Sequence, residues 1–207
     1  MSVHQLVLLA TRSEGKMREL RPMFAAAGIT VRDLNGEALP PVPEEDAIEN
    51  HDTFEANALA KARHFHLRSG GLPTVADDSG LEVFALGGRP GVRSRRWSGR
   101  TDLSGQALDD ANNATLAAAL AGCTDLRARY VCVAVYKDSD REIVRRGETL
   151  GRIVLTPRGA GGFGYDPYFE SEELGLTFGE VTAEAKERVS HRGRAFRALL
   201  AALASDR

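Results

Sequence analysis

Short apolar runs alternate with helix-like stretches along the sequence, and this alternation limits the chain to a mixed fold. Strand-like runs lie at Leu6–Ala10, Thr74–Ala76, Leu81–Phe84, Arg129–Tyr136 and Ile143–Leu155. Helix-like stretches lie at Gly15–Ala27, Thr53–Leu67, Ser104–Ala121 and Thr182–Leu203. The two periodicities in one chain predict an α/β or α+β fold. The chain has 207 residues and neither an internal repeat nor a long linker, so we expect one domain or two small lobes.

Composition excludes several classes of protein. A formal net charge of −2 is too balanced for a surface that binds duplex nucleic acid. No apolar stretch approaches the roughly 20 residues needed to cross a bilayer, and the first apolar run lacks the basic leader of a signal peptide. The two cysteines, Cys123 and Cys132, support neither a disulfide framework nor a thiolate metal site. We therefore expect a cytoplasmic protein without a nucleic-acid or membrane partner.

Charge is nevertheless separated along the chain. Residues 33–60 contain eight acidic side chains and no Lys or Arg. Residues 83–101 contain Arg89, Arg93, Arg95, Arg96 and Arg100 and no acid. Such runs are often solvated loops, and a binding role for them is an equal alternative at this point.

The first strand-like run leads through a small polar turn into a helix-like stretch. The turn reads Thr11-Arg12-Ser13-Glu14-Gly15-Lys16. Main-chain N–H groups at a helix N-terminus together with one lysine suit a phosphate group. The turn is not a Walker A loop, because Ala10 and Met17 stand where that motif needs glycine and a hydroxyl residue. The alternative is that Thr11 or Ser13 only caps the helix and Lys16 is solvated.

Two adjacent carboxylates, Asp77 and Asp78, follow the apolar run that ends at Ala76. Successive residues of an extended chain point opposite ways, so one carboxylate can face a ligand while the other braces the chain. A carboxylate at a strand end can hold Mg²⁺, with a second oxygen ligand from the acidic stretch. The competing interpretation is an Asp-Ser-Gly turn without chemistry.

Two later clusters contain groups suited to a nucleoside. Residues 161–167 read Gly-Gly-Phe-Gly-Tyr-Asp-Pro, so Phe163 or Tyr165 offers a face for a base and Asp166 offers an acceptor. The alternative is a tight turn with core aromatics. Residues 186–193 contain Lys186, His191 and Arg192, which can donate hydrogen bonds to a purine carbonyl oxygen. Taken singly, these are more often surface or capping residues.

All of these clusters in this order resemble the inosine triphosphate pyrophosphatase family, which acts on non-standard purine nucleoside triphosphates. The resemblance covers nearly the whole chain, including residues 53–62, 76–81, 87–91, 96–99 and 190–193. It implies an elongated α/β protein with a central twisted mixed sheet flanked by helices, and two lobes with the active-site cleft between them. It also implies a homodimer that hydrolyses ITP, dITP and XTP to the monophosphate and pyrophosphate with Mg²⁺.

The resemblance also implies roles for individual residues. Asp78 matches the general base and a metal ligand, and Glu49 matches the other metal ligand. The remaining matched residues would bind substrate, and they are Thr11, Arg12, Ser13, Glu14, Gly15, Lys16, Lys61, Ser79, Phe163, Gly164, Tyr165, Asp166, Lys186, His191 and Arg192.

The chain departs from the family pattern at a few positions. Ser13 stands where the family usually has Asn, and Arg93 and Arg95 lie where it more often has aromatic or small residues. The alternatives are a related pyrophosphatase for modified pyrimidines or standard nucleotides, and a catalytically silent nucleotide-binding protein.

Overall fold

Six strands form one mixed sheet in the order β2-β1-β3-β4-β5-β6. The structure is a computed structural model that describes residues 6–205, apart from the side chain of Asp46. The strands are β1 (Leu6–Leu9), β2 (Thr30–Asp33), β3 (Thr74–Val83), β4 (Arg127–Lys137), β5 (Glu142–Ile153) and β6 (Phe169–Ser171). Strand β1 pairs in parallel with β2 and β3, whereas β5 and β6 are antiparallel. The expected mixed α/β sheet is confirmed.

Five α-helices accompany the strands within residues 6–205. They are α1 (Glu14–Ala26), α2 (Phe54–Arg68), α3 (Gly105–Ala119), α4 (Ala183–Val189) and α5 (His191–Ser205). Three of them begin at a capping hydroxyl that accepts the N–H of the residue three positions on. The capping residues are Ser13 for α1, Thr53 for α2 and Thr182 for α4.

The chain divides into two compact units. Within the described residues, the first unit contains 6–78, 132–147 and 194–205, and the second contains 79–131 and 148–193. The first unit packs around Phe24 and Phe196, whose ring centroids are 6.0 Å apart in an edge-to-face contact. The second packs around Tyr130, Phe169 and Phe178. The expected single domain over residues 1–207 stays a prediction, and residues 1–5, 206 and 207 lie outside the described part.

The structure differs from the sequence interpretation at three places. One continuous strand, β3, replaces the two separate strands expected before and after residues 77–80. The interpretation of this segment as an Asp-Ser-Gly turn is therefore wrong. The C-terminal helix is interrupted because Ser190 is extended and its hydroxyl accepts the Gly193 N–H at 3.0 Å. The strands β2 and β6 were not predicted, because their four and three residues are too few to show a periodicity.

Candidate active site

The turn after β1 places the ammonium group of Lys16 next to the buried carboxylate of Asp77. Ser13 caps α1 by accepting the Lys16 N–H at 3.3 Å, and its own N–H donates to the Thr11 hydroxyl at 3.2 Å. The Lys16 ammonium lies 3.0 Å from the Asp77 carboxylate, and its side chain is only 14% exposed. The capping alternative is therefore correct for Ser13, but Lys16 is not solvated.

The paired aspartates have separate partners on β3. Asp77 is buried, and its carboxylate contacts Lys16 and lies 3.7 Å from the Cys132 sulfur. Asp78 is 7% exposed and accepts a hydrogen bond from the Asn57 amide at 2.9 Å. The two carboxylates therefore do not form a shared-proton pair, as the extended chain predicts.

Lys61 connects this pair to the acidic segment. Its ammonium donates to the Asp77 carbonyl at 3.0 Å and forms an ion pair with Glu49. The same carbonyl accepts from Lys16 at 3.5 Å, so two ammonium groups converge on one main-chain oxygen. Because this acceptor belongs to the main chain of β3, the strand itself positions both lysines.

Burial and neighbouring charges together shift the pKa values of Asp78, Glu49 and Lys61. Burial raises the pKa of Asp78, Glu49 adds to the rise, and Lys16, Lys61 and the Asn57 hydrogen bond oppose it. Burial alone would raise the pKa of Glu49, but Lys61 and Lys16 outweigh it and lower that pKa. Burial alone would lower the pKa of Lys61, but the surrounding carboxylates raise it. Glu49 is therefore ionised near neutral pH, and Lys61 is charged.

The oxygen ligands here fit a magnesium ion. Carboxylate oxygens are the protein ligands that Mg²⁺ prefers, and Glu49 and Asp78 each offer one such group. Burial and then Glu49 raise the pKa of Asp78, and a divalent cation bound by both carboxylates would offset the repulsion between them. Residues 6–205 contain no group of three or more His, Cys, Asp or Glu side chains arranged around a metal position. A magnesium ion that shares its ligands with phosphate oxygens needs only one or two protein carboxylates.

Arg12 turns away from this cluster and takes part in a second one. Its guanidinium binds both carboxylate oxygens of Glu45 at 2.7 Å and the Leu39 carbonyl at 3.0 Å. Arg68 binds the same carboxylate at 2.6 Å, and both guanidinium groups lie within 5.9 Å of the Phe65 ring centroid. This Arg12–Glu45–Arg68 clasp ties the polar turn of residues 11–16 to the acidic segment of residues 33–60, which is therefore not simply a solvated loop.

The glycine-rich segment forms a turn around Phe163. Asp166 is buried, and its carboxylate accepts the Phe163 N–H at 2.7 Å and the Lys186 ammonium at 2.6 Å. Tyr165 is also buried and donates its hydroxyl to the Ser94 carbonyl at 2.7 Å; burial, with Asp109 nearby, raises the pKa of Tyr165 well above its usual value. Of the two aromatics, only the half-buried Phe163 keeps an accessible ring.

Cationic groups from the last predicted cluster surround this ring. The Lys186 ammonium lies 5.0 Å from the Phe163 ring centroid, and the Arg192 guanidinium lies 5.5 Å from it. Arg192 also donates to the Ser79 hydroxyl at 2.8 Å. His191 stacks on Tyr130 with a centroid separation of 4.4 Å. The second unit therefore brings Ser79, Phe163, Lys186 and Arg192 together.

Several residues that support the two clusters could not be identified from the sequence. Asn57 lies one helical turn before Lys61, but no sequence pattern identifies it as the hydrogen-bond partner of Asp78. Asp109 and Asn113 on α3 hold Gly164 from both sides, and their only sequence signal is a spacing of one helical turn. Arg93 and Arg95 are exposed, and nothing in the structure of residues 6–205 assigns their side chains a function.

The fold and the first cluster define an α/β protein with a carboxylate–lysine centre suited to a metal-bound phosphate. Residues 7–202 match the model of the Ham1 family. The chain belongs to the Ham1 family, which confirms the resemblance drawn from the motifs.

Curated relatives match over almost their full length. A dITP/XTP pyrophosphatase of Mycolicibacterium paratuberculosis is 47% identical over 201 residues, covering 95% of each chain. One of Aromatoleum aromaticum is 45% identical over 202 residues, covering 96% of each chain.

Solved structures agree with the fold. The Staphylococcus aureus Ham1 protein has a TM-score of 0.81 at 32% identity, covering 98% of this chain and 100% of that one. The Coxiella burnetii HAM1 protein has a TM-score of 0.82 at 30% identity, covering 97% and 98%.

Proposed function

We propose that this chain hydrolyses the deaminated purine nucleoside triphosphates ITP, dITP and XTP to the monophosphate and pyrophosphate. The observation that carries the proposal is the cluster in which Asp78 is held by Asn57 while Lys16 and Lys61 converge on the Asp77 carbonyl. Relatives that share 45% and 47% of aligned residues with this chain are named dITP/XTP pyrophosphatases.

The phosphate end of the substrate is assigned to residues of the first unit. Main-chain N–H groups of residues 11–16 and the ammonium groups of Lys16 and Lys61 offset the charge of the triphosphate and of the departing pyrophosphate. The guanidinium of Arg12 is engaged by Glu45, so Arg12 contributes through its main chain. Glu49 and Asp78 would hold Mg²⁺, which supplies Lewis acidity at the phosphate oxygens.

Asp78 would act as the general base. Its carboxylate is fixed by Asn57 and would orient a water molecule for in-line attack on the α-phosphorus and accept its proton. Burial raises the pKa of this carboxyl, which increases its basicity toward water. The α–β phosphoanhydride bond then breaks, and pyrophosphate leaves with the bonding electron pair.

The base end is assigned to residues of the second unit. Phe163 would stack on the purine, and Lys186, His191 and Arg192 would donate hydrogen bonds to a 6-oxo group. A 6-amino group cannot accept those bonds, so ATP is a poor substrate in this scheme.

A nucleotide panel tests the proposal. Pyrophosphate and orthophosphate are detected separately for ITP, dITP, XTP and ATP, with Mg²⁺ and with a chelator. We expect pyrophosphate from the first three substrates and none after chelation. Orthophosphate as the sole inorganic product, equal turnover of ATP, or nucleotide binding without metal-dependent turnover would each reject it.

We also propose that the protein is a cytoplasmic homodimer. Both cysteines are free thiols, as a reducing compartment favours. Light scattering after size-exclusion chromatography tests the dimer. No helix in residues 6–205 is long and apolar enough to cross a membrane.

A further inference from the structure

The main chain around Phe163 is not held by regular secondary structure. Phe163 lies between Gly162 and Gly164, whose φ angles are +73° and +63°. Both glycines adopt a conformation that L side chains rarely take, and glycine imposes little conformational preference of its own. The orientation of the Phe163 ring therefore depends on the hydrogen bonds that neighbouring elements make to this turn.

Two side chains of α3 bind the main chain of one residue in this turn. The Asp109 carboxylate accepts the Gly164 N–H at 2.8 Å, and the Asn113 amide donates to the Gly164 carbonyl at 3.0 Å. Asp109 and Asn113 are four residues apart, so they lie one above the other on the same helix face. This Asp109–Asn113 bracket fixes both polar atoms of Gly164 at once.

The helix that carries the bracket is itself well anchored. Leu108 and Leu116 are buried on α3, and Leu116 belongs to the core of the second unit. The neighbouring Asn112 accepts the Ser98 N–H at 2.8 Å and donates to the Arg95 carbonyl at 3.1 Å. Because these contacts fix the position of α3, its Asp109 and Asn113 side chains can restrict the main chain of the Phe163 turn.

We propose that Asp109 and Asn113 are specificity-determining positioning residues for the purine base, an inference that rests on the proposed function. Stacking on Phe163 tolerates any base, whereas hydrogen bonds from Lys186 and Arg192 require a fixed distance to the 6-oxo group. Both cations lie within 5.5 Å of the ring centroid, so a displaced ring moves the base relative to them. Loss of the bracket then weakens discrimination more than it weakens binding in general.

Equilibrium binding of IMP and AMP to the full chain tests this role independently of catalysis. Asp109→Ala and Asn113→Ala are each expected to lower IMP affinity about tenfold while changing AMP affinity little, so the IMP/AMP ratio falls by about that factor. The ITP/ATP ratio of kcat/KM is expected to fall in parallel. Asp109→Asn, which keeps an acceptor for the Gly164 N–H, restores most of the discrimination.

Asp110→Ala is the matched control. Asp110 is the exposed neighbour of Asp109, and its side chain accepts only from Gln106, at 2.8 Å, among the contacts described. If the alanine variants do not fold, the isosteric Asn113→Asp provides the comparison, because it places a carboxylate oxygen against the Gly164 carbonyl. It is expected to lower the IMP/AMP ratio in the same way.

An unchanged IMP/AMP ratio in a folded bracket variant would overturn the inference while leaving the proposed function intact. Equal IMP and AMP affinity in the unmodified protein, or failure to release pyrophosphate from ITP, would instead reject the proposed function. Circular dichroism of each variant confirms that a changed ratio comes from a folded protein.

Discussion

Adjacent residues of β3 carry different chemistry because their surroundings differ. The Asp77 carboxylate contacts Lys16, whereas the Asp78 carboxylate accepts from Asn57 and is influenced by Glu49. Asp77 thus neutralises and orients a lysine. Asp78 is the carboxylate to which the proposed function assigns proton transfer.

Asp78→Asn tests the assignment of the base. The amide oxygen can still accept from Asn57, so the local structure is expected to persist. We expect kcat for ITP to fall at least about 100-fold, because the variant lacks a proton acceptor. Turnover and nucleotide affinity are measured together, with the exposed Asp110→Asn as control. A variant that keeps a tenth of the activity or more would show that another group is the base.

The Arg12–Glu45–Arg68 clasp should make stability depend on acidity. The hydrogen bond from Arg12, together with Arg68, lowers the pKa of Glu45 below its usual value, and the Glu45 side chain is 15% exposed. A lowered folded-state pKa stabilises the protein above the unfolded pKa, and this contribution is lost as pH falls through the folded value. Glu45→Gln is therefore expected to cost about 1–2 kcal/mol near neutral pH.

Measuring the free energy of unfolding at several pH values tests this expected loss of stability. The unfolding free energies of wild type and Glu45→Gln should converge as the pH falls through the lowered folded-state pKa of Glu45, because its side chain is then uncharged in the folded and the unfolded chain. Glu142→Gln is the matched control, because Glu142 pairs with Arg63, a residue whose side chain is 56% exposed. Such a surface pair is worth about 0–1 kcal/mol. A Glu45→Gln difference that does not vary with pH would contradict the charge-based origin.

At the scale of elements, the sequence predicts what depends on periodicity and misses what depends on tertiary partners. The long strands β4 and β5 and helices α1 to α3 lie within about three residues of their predicted bounds because their apolar patterns are long. An Asp-Ser-Gly turn beginning at Asp78 was the competing interpretation, but Asp77 and Asp78 meet Lys16 and Asn57 from within a continuous strand. Those partners come from distant segments, so no local pattern could reveal them.

The candidate site divides in the same way. The polar turn at residues 11–16, the paired carboxylates and the two nucleoside clusters could be recognised from the sequence, and the resemblance added Glu49, Lys61 and Ser79. The side-chain directions of Arg12 and Tyr165 were not predictable, because Glu45 and Ser94 lie far from them in sequence. The supporting helix α3 was predicted as a helix but not as part of a site.

The turn at Gly162 gives a prediction about backbone geometry. Its φ is +73°, and an added Cβ would overlap the Asp166 carboxylate. Gly162→Ala is therefore expected to lower stability and to raise KM for ITP.

Gly28→Ala is the control, since Gly28 has φ +69° but no atom within 4 Å of an added Cβ. Backbone strain at Gly28 should cost about 1–2 kcal/mol, and Gly162→Ala should cost more. Equal losses would show that the overlap is relieved without consequence. Thermal unfolding and ITP kinetics measure both variants.

At the scale of the whole molecule, a net charge of −2 hides paired groups of opposite sign. Within the described residues, Glu45 pairs with Arg12 and Arg68, and Glu49 pairs with Lys61. The acidic segment thus holds Lys61, one of the two lysines of the proposed phosphate site, and also ties Arg12 to Arg68.

Ligand binding should stabilise the protein, because a ligand that binds only the folded chain shifts the unfolding equilibrium. With Mg²⁺ and an α,β-methylene analogue of ITP at about 100 times Kd, the gain is about 2.7 kcal/mol, or roughly 5–10 °C in melting temperature. Either component alone should give a smaller shift, and so should the adenosine analogue with Mg²⁺. Differential scanning calorimetry measures the shift. An equal shift without Mg²⁺ would argue against a metal in the complex.

The path of β3 has a consequence for which changes in length the chain tolerates. The strand passes from the first unit to the second between Asp78 and Ser79, and it carries the carbonyl that holds two lysines. Deleting or inserting one residue there would reverse the faces of every side chain beyond it. Surface loops can gain or lose residues at little cost, whereas residues 75–81 must keep their number for the carboxylates to meet their partners.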